Sequence, residues 1–210
     1  MIWPPHDDEL HGTIVSMRPL AEADREKLRF AGDDVAIWEW IDRRIPSEPA
    51  AFDEWFDARL SKRETGLEWG LVTLATQTGE VIGSSSFLNP RPEHDGVEIG
   101  NTWLKPSSWR TGANVEAKLL MLTYAFELLG CMRVEFKTDS RNTRSRGALE
   151  ALPSTFEGIF RKHMKMPITG VRDSAYYSLT DEEWHASKLQ LEVRLEHFTG
   201  VPMDTEVERA

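Results

Sequence analysis

The 210-residue sequence predicts an α/β fold, a mixed sheet with helices on its faces. Three observations carry that expectation. Two strand-like runs, 68–75 and 81–88, are joined by T-Q-T-G, whose glycine suits a hairpin turn. A strand at 97–104, an apolar-periodic helix and a strand at 132–138 follow, a crossover that makes those two strands parallel neighbours. No repeat or low-complexity tract interrupts the alternation, and no apolar run approaches the roughly 18 residues a membrane span needs.

Taken in order, residues 13–18 read as a strand and 21–30 as a short helix. Ser47 can cap a further helix in which Phe52, Trp55, Phe56 and Leu60 fall on one face, with Pro49 tolerated in its first turn. The hairpin strands come next, then the strand 97–104. In the helix after it, Val115, Leu119, Leu122, Phe126 and Leu129 repeat at four-three-four-three spacing, the stripe of a helix packed on a sheet. Gly130 ends that helix, because glycine takes the left-handed conformation that closes a last turn. The run 132–138 is a strand, 142–152 a helix, 155–160 and 174–179 two last strands. A C-terminal helix at 181–198 can pack on its own domain or on a partner, a homodimer included.

With 40% hydrophobic and 29% charged residues the chain suits one soluble domain. Residues 11–184 are assigned to it. Residues 1–10, with Pro4, Pro5 and the acidic run Asp7 to Glu9, read as a flexible arm, and 185–210 as a C-terminal helix with a tail frayed from Thr199. A single cysteine, Cys131, cannot form an internal disulfide, which fits a reducing, cytoplasmic setting. A net charge of -10 argues against general nucleic-acid binding. Residues 131–172 run against that charge, with nine cations and four carboxylates, a local +5. Such a stretch is either a docking place for a polyanion or a solvated basic face.

Between the strand 97–104 and its helix lies S-W-R-T-G-A-N-V-E-A-K, residues 108–118. A helix N-terminus presents free N–H groups and the positive end of its dipole, which suits phosphate. Gly112 allows close backbone approach and Arg110 can add a charged contact. The bland alternative is an ordinary helix start with an exposed arginine. A Walker loop is excluded, since no G-K-[ST] is present.

Neighbouring segments decide more. V-E-I-G-N-T-W-L, N-V-E-A-K-L-L-M-L-T-Y-A-F-E-L-L-G, C-M-R-V-E-F-K-T-D-S-R-N-T-R-S-R, the opening L-H-G-T-I-V-S-M-R-P-L and the closing F-E-G-I-F-R-K-H-M and R-D-S-A-Y-Y-S-L-T-D-E-E-W resemble the GNAT N-acetyltransferase superfamily, specifically its RimJ/RimL-type branch. The resemblance spans about His11 to Trp184. It implies a central, mostly antiparallel sheet with one parallel, splayed strand pair, acetyl-CoA as co-substrate and a primary amine as acceptor. It also implies that Arg110, Thr111, Gly112, Ala113 and Asn114 bind the pyrophosphate, and that Trp103, Leu104, Asn142, Ser145 and Arg146 line the rest of the cofactor. The superfamily turn is usually [QR]-x-x-G-x-[GA], whereas Trp109 and Asn114 fill its first and last slots here. Pro153 stands where glycine commonly follows the N-x-x-S helix, so that turn must be built differently. The frequent tyrosine acid would fall at Leu149, and this chain lacks it.

Acetyl transfer to an amine needs a base, a polarised thioester carbonyl and a proton for the leaving thiolate. Alternation along 97–104 puts Glu98 on the face opposite Val97 and Ile99, where it is either the base or a salt-bridged strand glutamate. Gly100 in mid-strand suggests a bulge, and an N–H near Gly100 or Asn101 is placed to hold the carbonyl oxygen. Ser145 is the candidate proton donor. On the acceptor side the candidates are Trp38, Trp40, Asn101 and His94, with core packing the alternative for the tryptophans. An α-amino group, with pKa near 8, asks less of a base than a lysine, of which only about 0.1% is neutral. No cluster has metal-ligand spacing, so no metal is expected.

Overall fold

The structure, a computed structural model, describes residues 1–41, 49–166 and 168–200. Ser47 and the tail past Gly200 lie outside the described residues. Among these residues eight strands form one sheet: β1 (Leu10–His11), β2 (Val15–Pro19), β3 (Glu68–Ala75), β4 (Val81–Arg91), β5 (Gly96–Leu104), β6 (Arg133–Asp139), β7 (Thr155–Met166) and β8 (Gly170–Thr180). Their spatial order is β1-β2-β3-β4-β5-β6-β8-β7. Only the pairing of β5 with β6 is parallel, as the crossover requires. The helices are α1 (Arg25–Ala31), α2 (Val35–Trp38), α3 (Pro49–Glu64), α4 (Ala113–Thr123), α5 (Thr143–Ala151) and α6 (Asp181–Thr199).

Two cores lie on the two faces of the sheet. On one, the apolar stripe of α4 and the inward residues of α6 bury Val97, Ile99, Leu119, Leu122, Val134, Trp184, Leu191 and Leu195. Leu189 and Val193 of α6 remain exposed, so that helix packs on its own domain through the opposite side. On the other face α1, α2 and α3 bury Leu28, Trp38, Phe52, Trp55 and Phe56 against Val72, Val81 and Trp103. This second layer packs on β3 and β4. It leaves Phe160 of β7 54% exposed on the same side of the sheet, so the face of β7 beside β8 is not covered by that layer.

Local chemistry explains the departures from the expected elements. α4 passes into a wider π turn at Tyr124–Leu128 before Gly130, at φ 69°, ends it. Pro153 forces its predecessor out of the helical region, and Leu152 adopts ψ 135°. Ser154 then supplies the closure, its Oγ donating to the Leu149 carbonyl at 2.8 Å. The last two strands outrun their sequence signals, because register shifts between Phe156/Gly158 and Phe160/Met164 break the alternation that would mark them.

The first ten residues, read as a loose arm, lie along the body. The Met1 ammonium pairs with Asp95, Ile2 donates to the Leu129 carbonyl at 2.7 Å, and Trp3 Nε1 donates to the Gly66 carbonyl at 2.8 Å. Buried Glu116 of α4 accepts the N–H groups of Thr13, Ile14 and Val15 at 2.8, 2.7 and 2.6 Å. A carboxylate holding three donors this way fixes α4 to the start of β2.

Candidate active site

The parallel ladder between β5 and β6 runs from Gly96↔Arg133 to Glu98↔Glu135 and stops there, although β5 continues to Leu104 and β6 to Asp139. Beyond Glu98 the two strands diverge. The cause is visible on β5: its register with β4 shifts between Ser84 and Ser86, and Asn101 is left-handed at φ 50°. Gly100 lies beside that bulge, and a Cβ there would come 2.7 Å from Leu88 Cδ1 and 3.1 Å from Glu98 Oε1, so those side-chain ends would have to shift.

Glu98 sits at the fork and is 4% exposed. Its Oε2 accepts from Asn89 Nδ2 at 2.7 Å and from Lys137 Nζ at 2.8 Å. Oε1 has no hydrogen bond to a described residue and faces Gly100. The salt bridge of this glutamate therefore occupies one oxygen and leaves the other without a described partner. Asn89, at φ 48°, and Lys137 were not singled out in the sequence. Neither carries a local signal, because both reach Glu98 only through strand pairing.

At the far end of β5 the turn before α4 has the character its glycine suggested. Arg110 and Gly112 are left-handed, at φ 61° and 88°, and the N–H groups of Arg110, Thr111 and Gly112 donate to no described atom. Free amides in such a turn are of the kind that can face an anion. Arg110 and Thr111 are exposed at its rim, while Ala113 is buried and Asn114 half-buried on the first turn of α4. Trp109 donates through Nε1 to the Leu104 carbonyl at 2.8 Å, and the Arg144 guanidinium lies 4.3 Å over its ring. The tryptophan thus ties the end of β5 to the start of α5.

α5 enters this region through Asn142, 6% exposed, whose Oδ1 caps the N–H of Ser145 at 3.0 Å. The Ser145 hydroxyl makes no hydrogen bond to a described residue, so it is free to act. Arg146 donates to the Tyr177 hydroxyl at 3.1 Å and to the Ser140 carbonyl at 3.3 Å. Its guanidinium is thus held between β8 and the turn before α5, with donors still facing solvent. The Trp103 side chain turns to the α1–α3 core, which leaves its backbone, with that of Leu104, on the diverging strand.

The acceptor-side expectations separate. Trp38 is 1% exposed, donates to the Gly32 carbonyl at 2.8 Å and packs edge-on against Trp55, so it belongs to the core and offers an acceptor no surface. Trp40 is half-buried with Arg141 5.9 Å from its ring. His94 is exposed in the turn between β4 and β5 and has no hydrogen bond or ion pair to a described residue, so nothing brings it to Glu98. Asn101 donates to Glu68 Oε1 at 3.2 Å, within a buried cluster of Glu68, Ser86, Ser84 and Arg59 that sequence reasoning did not find. On the open side of the fork stand Tyr176, His163 and Phe160, also unforeseen.

Two further groups are unsuited to chemistry. Burial pushes the Cys131 thiol up to about 11, so it is packing. Four of the nine cations of the basic stretch are ion-paired, Arg133 with Glu135 and Glu157, Lys137 with Glu98, Arg141 with Asp139 and Arg146 with Glu150. Among the described residues no cluster of potential ligands could hold a metal ion, and no helix is long and apolar enough to cross a membrane.

A parallel pair forced apart at a carboxylate, with an amide-rich turn where one of its strands ends, is the architecture of an acyl-group transferase. The chain belongs to the GNAT acetyltransferase family, whose acetyltransferase (GNAT) domain model matches residues 15–153. Among proteins of known sequence it is similar to the uncharacterized N-acetyltransferase YoaA of Bacillus subtilis, 27% identical over 161 residues, covering 70% of this chain and 89% of that one. Among solved structures it is similar to a GCN5-related N-acetyltransferase from Brucella melitensis, with TM-score 0.82 and 28% identity over 90% of this chain and 86% of that one. Mycobacterium smegmatis RimJ, solved in complex with CoA-disulfide, shares the fold at TM-score 0.74 and 20% identity, over 92% of this chain and 95% of the other.

Proposed function

We propose that the protein transfers an acetyl group from acetyl-CoA to a primary amine, either a peptide or protein N-terminal α-amino group or a small-molecule amine, by direct attack on the thioester. The observation that carries this reading is the end of the β5–β6 ladder at Glu98, where one carboxylate oxygen has no hydrogen bond to a described residue beside the place the strands part. The turn at Arg110, Thr111 and Gly112 suits the pyrophosphate, and the unpaired cation Arg110 suits its charge.

The neutral amine attacks the thioester carbon, forming the C–N bond, and its proton passes to Glu98 Oε1 directly or through one water. Asn89 and Lys137 hold Oε2 meanwhile, so the carboxylate keeps its aim. A backbone N–H at the bulge of Gly100 and Asn101 steadies the developing oxyanion. As the C–S bond breaks, the thiolate takes a proton from Ser145 or from water, since Leu149, 7% exposed, supplies no hydroxyl. The single buried Cys131 fits a cytoplasmic location, and a homodimer is compatible with the exposed Leu189 and Val193 of α6.

Thermal unfolding with acetyl-CoA, CoA and ATP tests the reading, followed by an amine screen. A ligand at about 100 times Kd that binds only the folded state adds roughly 2.7 kcal/mol, which for this size raises Tm by about 5 to 11 °C. A rise with acetyl-CoA and CoA but not ATP, with turnover of an amine, supports the transferase. A rise without turnover of any amine supports instead a protein that only binds or senses acyl-CoA.

A further inference from the structure

Tyr176 of β8 stands opposite Lys137 of β6 in the sheet, on the face that carries Glu98, because Glu98 pairs with Glu135 and Lys137 follows two residues on. Across β8 from it lies Gly158, which leaves room over the ring. Phe160 stacks on Tyr176 with centroids 4.3 Å apart, and His163 meets it edge-on at 5.5 Å. Three hydrogen bonds link this group: Arg172 Nε to Ser174 Oγ at 3.0 Å, Ser174 Oγ with His163 Nδ1 at 3.0 Å, and His163 Nε2 with the Tyr176 hydroxyl at 3.3 Å.

The direction of this chain follows from donor chemistry. Arginine can only donate, so Ser174 Oγ accepts from Arg172. Ser174 is 0% exposed, and a buried hydroxyl hydrogen needs an acceptor. His163 Nδ1 is the one its hydrogen bonds provide. With Nδ1 accepting, neutral His163 carries its hydrogen on Nε2 and donates to Tyr176. The phenol oxygen is then an acceptor toward His163, and its own hydrogen points away from that ring. Burial, then the charges of Lys137 and Arg172, hold His163 below its ordinary range against the opposing pull of Glu98, so the ring is neutral near pH 7. Burial, then Glu98 and Glu135, keep the Tyr176 phenol protonated, against Arg172 and Arg91.

We infer that Tyr176, oriented by His163, Ser174 and Arg172, donates a hydrogen bond to an oxygen of the acceptor next to its amine. The site therefore favours amines that carry an adjacent carbonyl, such as amino-acid amides and peptide N-termini, over plain alkylamines. The inference rests on the transferase reading above, which supplies the amine at Glu98. Tyr176 is the group that touches the acceptor, and His163, Ser174 and Arg172 are positioning residues.

Two measurements on the full chain test it. Nitrogen-15 NMR of the histidine ring should find His163 neutral at pH 7 with its hydrogen on Nε2, in wild type and in Tyr176→Phe. A hydrogen on Nδ1 overturns the inference whatever the activity. Kinetics of Tyr176→Phe should show KM for alaninamide and for a short peptide rising about 3- to 10-fold, the range of one neutral hydrogen bond. KM for butylamine and the acetyl-CoA-induced rise in Tm should not move. Equal KM changes for amide and alkylamine, or none, overturn the selection. A wild-type protein that acetylates neither amine removes the transferase reading and this selection with it, while the tautomer still decides the hydrogen-bond direction by itself.

Discussion

Glu98 and Glu68 stand in one row across the sheet, linked through Leu88, and each faces a cation. They do different work. Glu98 spends one oxygen on Lys137 and Asn89 and keeps the other toward the fork. Glu68 is 0% exposed: its Oε1 takes Ser86 and Asn101, and Arg59 Nε is 3.5 Å away. Among the described residues Nε and Nη1 of Arg59 and Oε2 of Glu68 make no hydrogen bond, although Lys62 Nζ lies 3.6 Å from that Oε2 and Arg59 Nη2 donates to Ser84 and Ser86. Burial lowers the Arg59 pKa, with Glu68 opposing, as expected of an ion pair denied water. On the proposed reading, Glu98 serves the reaction through the oxygen left toward the opening, and Glu68, enclosed on all sides, serves structure.

Substitutions can break this contrast. The largest effect belongs to Glu98→Gln, expected to lower kcat/KM at neutral pH by about 10²- to 10⁴-fold, the usual contribution of a positioned base, with the acetyl-CoA-induced rise in Tm preserved. Glu68→Gln should cost activity less than tenfold. Loss of equal size at both would erase the distinction. Next, Arg59→Met should destabilise by about 3 to 5 kcal/mol in urea unfolding, because it strands a buried charge, and Arg59→Met with Glu68→Leu should recover most of that loss.

Gly112→Ala sharpens the picture at the other end of β5. At φ 88° a side chain is strained, and its Cβ would meet Ile14 Cδ1 at 2.7 Å and Phe198 Cβ at 2.9 Å. About 1 to 3 kcal/mol of stability should go, together with the acetyl-CoA-induced rise in Tm. An effect of opposite sign is at Lys118, buried on α4 with the hydroxyls of Ser85 and Thr102 as its partners among the described residues, at 3.2 and 2.6 Å. Burial brings its pKa from 10.5 to about 7. The unfolded chain therefore binds more protons between those values, so stability climbs with pH across that window and the penalty is complete below about 7. Lys118→Met should flatten that slope and raise Tm at pH 6, whereas Lys137, which has Glu98, should tolerate no such exchange without loss of rate.

The sequence predicted most of what its own period encodes. Residues 68–75 form β3 as read, the parallel pair follows from the crossover, and the glycine turn opens α4. The companions of Glu98 were not legible. Asn89 reaches it from a left-handed position at the end of β4, and Lys137 and Tyr176 reach the fork because β8 inserts between β6 and β7, an arrangement no local pattern contains. Composition marked the tryptophans, but only packing distinguishes Trp38 in the core from Trp40 at the margin. His163 lies where bulges scramble the strand signal, so the most chemically specific histidine sat in the least readable segment.

The contact of Ile14 and Phe198 on Gly112 has a practical consequence. One side chain leads into β2 and the other closes α6, yet both rest on the same turn, so an early and a late segment of the chain share one vantage point. On the proposed reading, a fluorinated phenylalanine at position 198 is a spectroscopic reporter there, its fluorine resonance shifting with added acetyl-CoA and giving an occupancy curve free of any acceptor or turnover.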